Sequence, residues 1–137
     1  MAEQIQFELV SPEQLLVSRP VEMVVVPGSE GDFGVLPGHA LLISTVRPGV
    51  IAVFDNGQVQ ERIFVAGGFA EVTGERCTVL AEQALPVEQI DRAAVEAELK
   101  DARDDLGDAK TDADRAAAEM AIAVAEAKLA ALDTPVY

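Results

Sequence analysis

Glycine and proline recur every few residues between positions 26 and 50, and this spacing most constrains what the chain can fold into. The residues concerned are Gly28, Gly31, Gly34, Gly38 and Gly49, with Pro27, Pro37 and Pro48. Each glycine permits backbone angles that a side chain would forbid, and each proline fixes the chain direction at a turn. Because apolar runs lie between these turns, the sequence predicts short strands joined by loops of defined shape.

Strand patterns extend from residue 3 to about residue 86. Ile5, Phe7 and Leu9 alternate with polar residues, which is the period of a strand with one buried face. Further strands are predicted at residues 14–19, 21–26, 32–36, 41–46, 50–54, 59–65, 69–73 and 77–82. Nine or ten short strands in such a span indicate a β-sandwich.

Three glycine-containing segments predict particular turns within this sandwich. Asn56-Gly57 between two apolar runs predicts a type I′ hairpin, since both residues accept a positive φ. Gly74-Glu75 is expected to close a second hairpin. Gly67-Gly68 interrupts an apolar stretch, which suggests a bulge or a close approach of two backbones.

The composition changes at Leu85-Pro86, and the remainder is rich in alanine with a helical period. The two predicted apolar faces are Val95, Leu99, Ala102 and Leu106, then Ala113, Ala117, Met120, Val124, Ala127 and Ala131. Gly107 is expected to end the first helix, Thr111 or Asp112 to cap the second, and Pro135 to follow it. The sequence therefore predicts a sandwich of residues 1–86 and a mobile antiparallel helical hairpin of residues 87–137.

Charge and composition exclude several classes of function. With 24 acidic and 10 basic residues the net charge is −14, so nucleic acid and anionic lipid surfaces would repel the protein. No apolar run approaches the roughly 20 residues that span a bilayer, and the N-terminus does not resemble a secretory signal, which favours a cytosolic location without lipid insertion. Cys77, the only cysteine, is expected to be an inert core residue.

The sequence lacks the motifs of catalysis. It has no glycine-rich phosphate loop ending in lysine, so no nucleotide-hydrolysing site is predicted, and no metal or cofactor is expected. His39 could be a general base, but no nucleophile is placed beside it, and a hydrogen-bonding turn residue is the simpler interpretation. For Glu30 and Asp32 the simpler interpretation is likewise that of solvated turn residues.

These residues nevertheless occur within a recognisable pattern. The motif E-G-x-x-G-x-x-P-G-H at residues 30–39, with R-P-G-V at 47–50, A-G-G-F-A-E-V at 66–72 and T-V-L-A-E at 78–82, resembles the epsilon subunit of the F-type ATP synthase over the whole length of the protein. The resemblance implies a ten-stranded β-sandwich followed by two helices. It also implies a non-catalytic rotor subunit of the central stalk, peripheral on the cytoplasmic face of the inner membrane.

The resemblance further implies partners for individual residues. Glu30 and Asp32 would contact the ring of c subunits, and the neighbourhood of His39 would contact the gamma subunit. Some members bind ATP through an [IL]-D-x-x-R-A motif. Ile90, Asp91 and Arg92 begin that motif here, but Ala94 occupies the arginine position, so strong ATP binding is not predicted.

The hairpin could also contact the alpha and beta subunits transiently. With few basic residues, it is expected to inhibit ATP hydrolysis only weakly. The alternative hypothesis is a free-standing sensor that binds a small ligand between the sandwich and the hairpin.

Overall fold

A computed structural model describes residues 3–134, which form ten strands, one short 3-10 helix and two α-helices. The strands are β1 (Ile5–Val10), β2 (Leu15–Val21), β3 (Met23–Gly28), β4 (Gly31–Val35), β5 (Leu42–Thr45), β6 (Gly49–Asp55), β7 (Gln58–Ala66), β8 (Phe69–Val72), β9 (Arg76–Leu80) and β10 (Gln83–Pro86). The 3-10 helix spans Val87–Gln89, and the α-helices are α1 (Arg92–Asp108) and α2 (Asp112–Asp133). The predicted fold class is confirmed.

The ten strands divide equally between two sheets. Sheet A has the order β2-β1-β9-β8-β5 and sheet B the order β10-β7-β6-β3-β4. All neighbouring strands are antiparallel except β1 and β9, which pair in parallel. The inward side chains of both sheets, including the fully buried Phe7 of β1 and Ile51 of β6, form the main apolar core.

The predicted turns are confirmed. In the β6–β7 hairpin, Asn56 and Gly57 have φ values of 55° and 72°, as a type I′ turn requires. A second hairpin joins β8 to β9. At Gly67 and Gly68 the backbone passes from sheet B to sheet A, and a Cβ on Gly68 would lie 1.8 Å from the carbonyl oxygen of Leu80.

The nine strand segments predicted from the sequence pattern do not include β10. β10 begins at Gln83, whereas the pattern extended β9 through Glu82. The four residues of β10 contain two apolar side chains and a proline, too few for a visible alternation. The strand forms because its backbone pairs with β7, from Gln83 opposite Ala66 to Pro86 opposite Ile63.

The two helices form the predicted antiparallel hairpin, but its ends differ in part from the prediction. Thr111 caps α2 by accepting a hydrogen bond from the amide of Asp114. Gly107 was wrongly predicted to end α1, which continues to Asp108. A left-handed glycine is not needed there because the backbone leaves the helix through Ala109 in an extended conformation. Pro135 lies outside the described residues.

The predicted apolar face of α2 is also partly wrong. Ala113, Ala117 and Met120 are exposed, and the buried residues are Ala118, Val124, Ala125 and Ala131. The prediction assumed one apolar face, but α2 has two contact faces. It packs against α1 on one side and against β6 and β7 on another. Together with Phe64 and Ala66 of β7, the C-terminal half of α2 forms a second apolar cluster that joins the hairpin to sheet B.

Candidate interaction surfaces

A two-residue turn, Ser29-Glu30, joins β3 to β4 and presents an exposed carboxylate. Gly28 pairs with Gly31 at its base, and Glu30 is exposed at its tip. The amide of Ser29 donates to the carbonyl oxygen of Thr45 at 3.0 Å, and the Thr45 hydroxyl donates to that of Ser29 at 2.8 Å. The turn is therefore tied to the end of β5 and has a defined direction.

Asp32 was predicted to share this turn with Glu30, but it is the second residue of β4 and pairs across the sheet with Pro27. Its carboxylate forms an ion pair with Arg47 at 2.5 Å. Arg47 also donates to the carbonyl oxygen of Gly28 at 2.6 Å. The two acidic residues thus differ in environment, because the charge of Asp32 is partly neutralised within the protein.

Arg47 is the residue of this surface that sequence reasoning missed. The R-P-G-V segment was recognised as part of the family pattern, but nothing in it assigns a partner to the arginine. Arg47 lies 15 positions after Asp32, and the two meet because the backbone turns back along the end of β3. Only the tertiary structure shows this contact.

His39 lies half-buried in the loop between β4 and β5. Its Nδ1 is 2.7 Å from the carbonyl oxygen of Ala40, and its amide donates to Leu36 at 3.1 Å. The preceding amide, that of Gly38, donates to Gly74 in the β8–β9 hairpin. These bonds are those of a turn residue, and they connect the loop to sheet A.

The outer face of sheet A carries exposed apolar side chains, which we call the sheet A apolar face. Its most exposed members are Leu15, Leu41, Ile43, Phe69 and Leu80. Phe69 is paired with Leu80, Leu80 with Val10, and Val10 with Leu15, so these four side chains form a row across four strands. Leu41 and Ile43, exposed by 81% and 72%, extend the surface towards edge strand β5. An exposed apolar surface of this kind is typical of a protein interaction site.

Residues 90–92, at the junction of sandwich and hairpin, all have structural partners. Ile90 is buried in the second apolar cluster. Asp91 caps α1 by accepting hydrogen bonds from the amides of Ala93 and Ala94 at 3.0 and 3.3 Å. Arg92 forms an ion pair with Asp133 at the end of α2, and this hydrogen bond raises the pKa of Arg92. In this conformation the three residues stabilise the hairpin and its junction with the sandwich.

A cavity of about 540 Å³ lies between the sandwich and the end of α2. Leu16, Ile63 and Leu132 supply apolar walls, while Glu61 and Glu88 supply carboxylates. This is where a ligand of the alternative sensor would bind. Arg62 also lines the cavity, so two carboxylates and one guanidinium leave it net negative, which does not favour an anionic nucleotide there.

Comparison with known proteins assigns both parts of the sequence. Residues 4–87 match the model for the beta-sandwich domain of the ATP synthase Delta/Epsilon chain, and residues 91–136 match the model for the C-terminal domain of the ATP synthase epsilon chain. The chain belongs to the ATP synthase epsilon chain family.

Relatives in the epsilon chain family are similar over nearly their full length. The epsilon chain of Rhodospirillum rubrum is 60% identical over 131 residues, covering 96% of this chain and 98% of the relative. That of Paramagnetospirillum magneticum is 59% identical over 132 residues, covering 96% and 99%. A solved structure of the Euglena gracilis mitochondrial ATP synthase, comprising OSCP, F1 and the c-ring, includes a polypeptide that matches with a TM-score of 0.81 and 29% identity, covering 94% of this chain and 81% of that one.

Epsilon chains are non-catalytic subunits of the ATP synthase. Burial raises the pKa of the Cys77 thiol to about 12, so this cysteine is protonated and unreactive at neutral pH. Within residues 3–134, no group of three or more histidine, cysteine or acidic residues is arranged to hold a metal ion. Nor does that part of the protein contain a helix of sufficient length and hydropathy to cross a membrane.

Proposed function

We propose that this epsilon subunit is a rotor component of a proton-translocating ATP synthase and couples rotation of the c-ring to the gamma subunit. The observation that carries the proposal is the similarity, over 94% of this chain, to a polypeptide of an ATP synthase structure that includes F1 and the c-ring. The sandwich would link gamma to the ring, so that torque from proton flow reaches the catalytic head without slippage. The complex would lie at the cytoplasmic face of the inner membrane, with this subunit peripheral to it.

The proposed ring contact is centred on the Ser29-Glu30 turn, which precedes Asp32 of β4. Glu30 offers an exposed carboxylate at the tip of a turn whose first residue, Ser29, is hydrogen-bonded to Thr45. Such a charge suits basic residues in the polar loops of the ring, which the family resemblance implies. The electrostatic contribution is modest for one exposed pair, so the contact would depend on correct positioning of the turn.

The proposed gamma contact is the sheet A apolar face. Its exposed row of apolar residues has the character of the centre of a stable interface, where apolar area is removed from water. His39 lies in the loop that carries the exposed Leu36 and precedes the exposed Leu41, so it would border this contact. The hairpin lies against sheet B and leaves sheet A accessible.

The hairpin would contribute at most weakly to regulation. Residues 87–137 contain 13 acidic and 6 basic residues, a net charge of −7, which opposes approach to an acidic segment of the beta subunit. Arg92 is engaged with Asp133 and Ala94 replaces the motif arginine, so ATP binding is expected to be weak or absent.

Site-specific cross-linking tests both proposed contacts in the assembled enzyme. Because the native Cys77 is buried, a cysteine introduced by Glu30→Cys or by Ile43→Cys would react selectively with a photo-cross-linker. We expect position 30 to cross-link to a c subunit and position 43 to gamma. Asp104→Cys on the exposed face of α1 is the matched control and should give neither product. If position 30 cross-links only to gamma, or to no subunit, the proposed ring contact is wrong.

A further inference from the structure

We propose that Arg47 is a positioning residue for the ring contact. Its guanidinium holds the Ser29-Glu30 turn in the orientation that presents Glu30, and Asp32 acts through Arg47 instead of contacting the ring directly. This inference rests on the proposed function, in which Glu30 faces the ring. Glu30 and Asp32, which the sequence placed together in one contact, would thus have different roles: Glu30 contacts the ring, and Asp32 holds Arg47.

The guanidinium of Arg47 grips both ends of the turn. Nη1 donates to the carbonyl oxygen of Gly28 at 2.6 Å, immediately before the turn, and Nη2 forms an ion pair with Asp32, immediately after Gly31. The planar fork of arginine can satisfy two acceptors at once, which a lysine ammonium does with poorer geometry. One side chain therefore brackets Ser29, Glu30 and Gly31.

The turn needs such a restraint because glycines form its base. Gly28 pairs with Gly31, and Gly31 has a φ of 133° with no atom within 4 Å of where a Cβ would stand. A glycine in open space has access to a wide range of backbone angles. The hydrogen bonds between Ser29 and Thr45 hold the first half of the turn, so without the contacts of Arg47 it is the Glu30-Gly31 half that would gain conformational freedom.

The backbone around Arg47 is held independently of its side chain. The amide of Arg47 donates to the carbonyl oxygen of Pro27 at 2.9 Å, and Val46 forms a bridge with Gly28. These contacts remain when the guanidinium is removed. The side chains of Arg47 and Asp32 are 41% and 33% exposed, and an ion pair with that exposure contributes little to stability. Substitution of Arg47 should thus alter the orientation of the turn while the sandwich remains folded.

Among the described residues that line the cleft beside Arg47, all except Asp32 are uncharged. A cleft of about 300 Å³ separates it from the C-terminal end of α2, where the lining residues are Ala127, Ala130, Ala131 and Thr134. The nearby Asp133 is paired with Arg92. Within residues 3–134, Asp32 is thus the anionic side chain that pairs with Arg47.

The substitution Arg47→Gln distinguishes a positioning role from a purely electrostatic one, because the two predict opposite effects on the ring contact. Arg47→Gln makes the surface near Glu30 more negative, so a purely electrostatic ring contact would be strengthened. Asp32→Asn makes it less negative and would weaken such a contact. If Arg47 positions the turn, both substitutions weaken coupling, and the double variant is no worse than either single one, because they remove the same interaction.

The experiment measures proton-driven ATP synthesis in membrane vesicles that contain the complete enzyme. We expect Arg47→Gln to lower synthesis at least about threefold, with retention on gamma unchanged and the melting temperature of the isolated protein within about 3 °C of the parent. Combined with Glu30→Lys, it should add no further loss. The yield of the cross-link from position 30 to a c subunit should fall in parallel. Arg103→Gln, at an exposed arginine on α1, is the matched control and should behave as the parent.

The outcomes separate this inference from the function on which it rests. If Glu30→Lys impairs synthesis but Arg47→Gln does not, the ring contact stands and the positioning role is wrong. Loss of gamma binding or a large drop in melting temperature with Arg47→Gln would also overturn it, in favour of a purely structural role. Normal synthesis with Glu30→Lys would instead overturn the ring contact itself.

Discussion

The ammonium group of Lys128 lies 5.8 Å from the centroid of the Phe64 ring and 3.5 Å from a carboxylate oxygen of Glu98. Phe64 belongs to β7 of the sandwich, Glu98 to α1 and Lys128 to α2. With only 13% of its side chain exposed, this lysine joins three elements and links the hairpin to the sandwich at one position.

Lys128→Met should loosen the docked hairpin. Methionine retains the apolar stem but removes the cation, so we expect a loss of about 1 kcal/mol in the free energy of unfolding. Hydrogen exchange should accelerate in α1 and α2 and remain unchanged in sheet A. Lys110→Met, at an exposed residue between the helices, is the control. Equal exchange rates in the two variants would contradict the anchoring role.

Two glycine substitutions should have opposite effects on stability. Gly68→Ala places a Cβ about 1.8 Å from the Leu80 carbonyl oxygen and also strains a φ of 92°, so we expect a loss of at least about 3 kcal/mol. Gly107→Ala lies in α1 with open space around it, and should increase the free energy of unfolding by up to about 1 kcal/mol. Urea denaturation of the two variants measures both changes.

Cys77 should make stability depend on pH in alkaline solution. Its pKa is raised by burial from 9.0 to about 12, so between these values the unfolded state loses the thiol proton while the folded protein retains it. Below pH 9 the thiol is protonated in both states and does not change the free energy of unfolding. As pH rises from 9 towards 12, that free energy decreases because only the unfolded state loses the proton. Relative to Cys77→Val, the parent should lose about 1.4 kcal/mol between pH 8 and pH 10. Parallel pH profiles for the two proteins would show that the thiol does not titrate as described.

A protein truncated after Pro86 should fold and bind gamma. The main core between the two sheets contains no residue of the hairpin, and the sheet A apolar face is likewise independent of it. Truncation uncovers Phe64 and Ala66 on sheet B, so we expect lower solubility but an intact β circular dichroism spectrum. A folded truncated protein that fails to retain gamma in a pull-down would assign part of that binding to the hairpin.

Removal of residues 87–137 should change ATP hydrolysis by the assembled head by less than about threefold, equivalent to under roughly 0.7 kcal/mol. The acidic net charge of this segment offers no basic docking face for an acidic partner. Millimolar ATP should leave the melting temperature of the isolated protein nearly unchanged, since Arg92 already pairs with Asp133. A strong activation on truncation, or a rise of several degrees with ATP, would contradict these two expectations respectively.

Local patterns predicted the sandwich well because its turns are encoded by neighbouring residues. Asn56-Gly57 requires positive φ values whatever lies elsewhere in the sequence, and the structure has them. The interruption at Gly67-Gly68 likewise indicated a close backbone approach, although its partner, Leu80, could not be named. Features that depend on one residue type at one turn are accessible from sequence alone.

Features that depend on several neighbours were not predicted. β10 exists because β7 offers a free edge, and the buried faces of α2 depend on where α1 and sheet B lie. The same limit applies to the candidate site. Asp32 and Glu30 appear equivalent in sequence, but in the structure Asp32 lies in β4 and contacts Arg47, whereas Glu30 lies at the tip of the turn.

The parallel pairing of β1 with β9 has a consequence for how the protein is made. Glu8 of β1 lies beside Thr78 of β9 and forms an ion pair with Arg76, 68 positions later in the sequence. During synthesis β1 can pair only with β2 until β9 emerges, so sheet A closes late. Long-range pairings of this kind slow folding, because a large loop must close before its contacts form. The pairing edge of β1 is therefore unoccupied until β9 has been synthesised, and an unpaired strand edge is a site at which a nascent protein can aggregate.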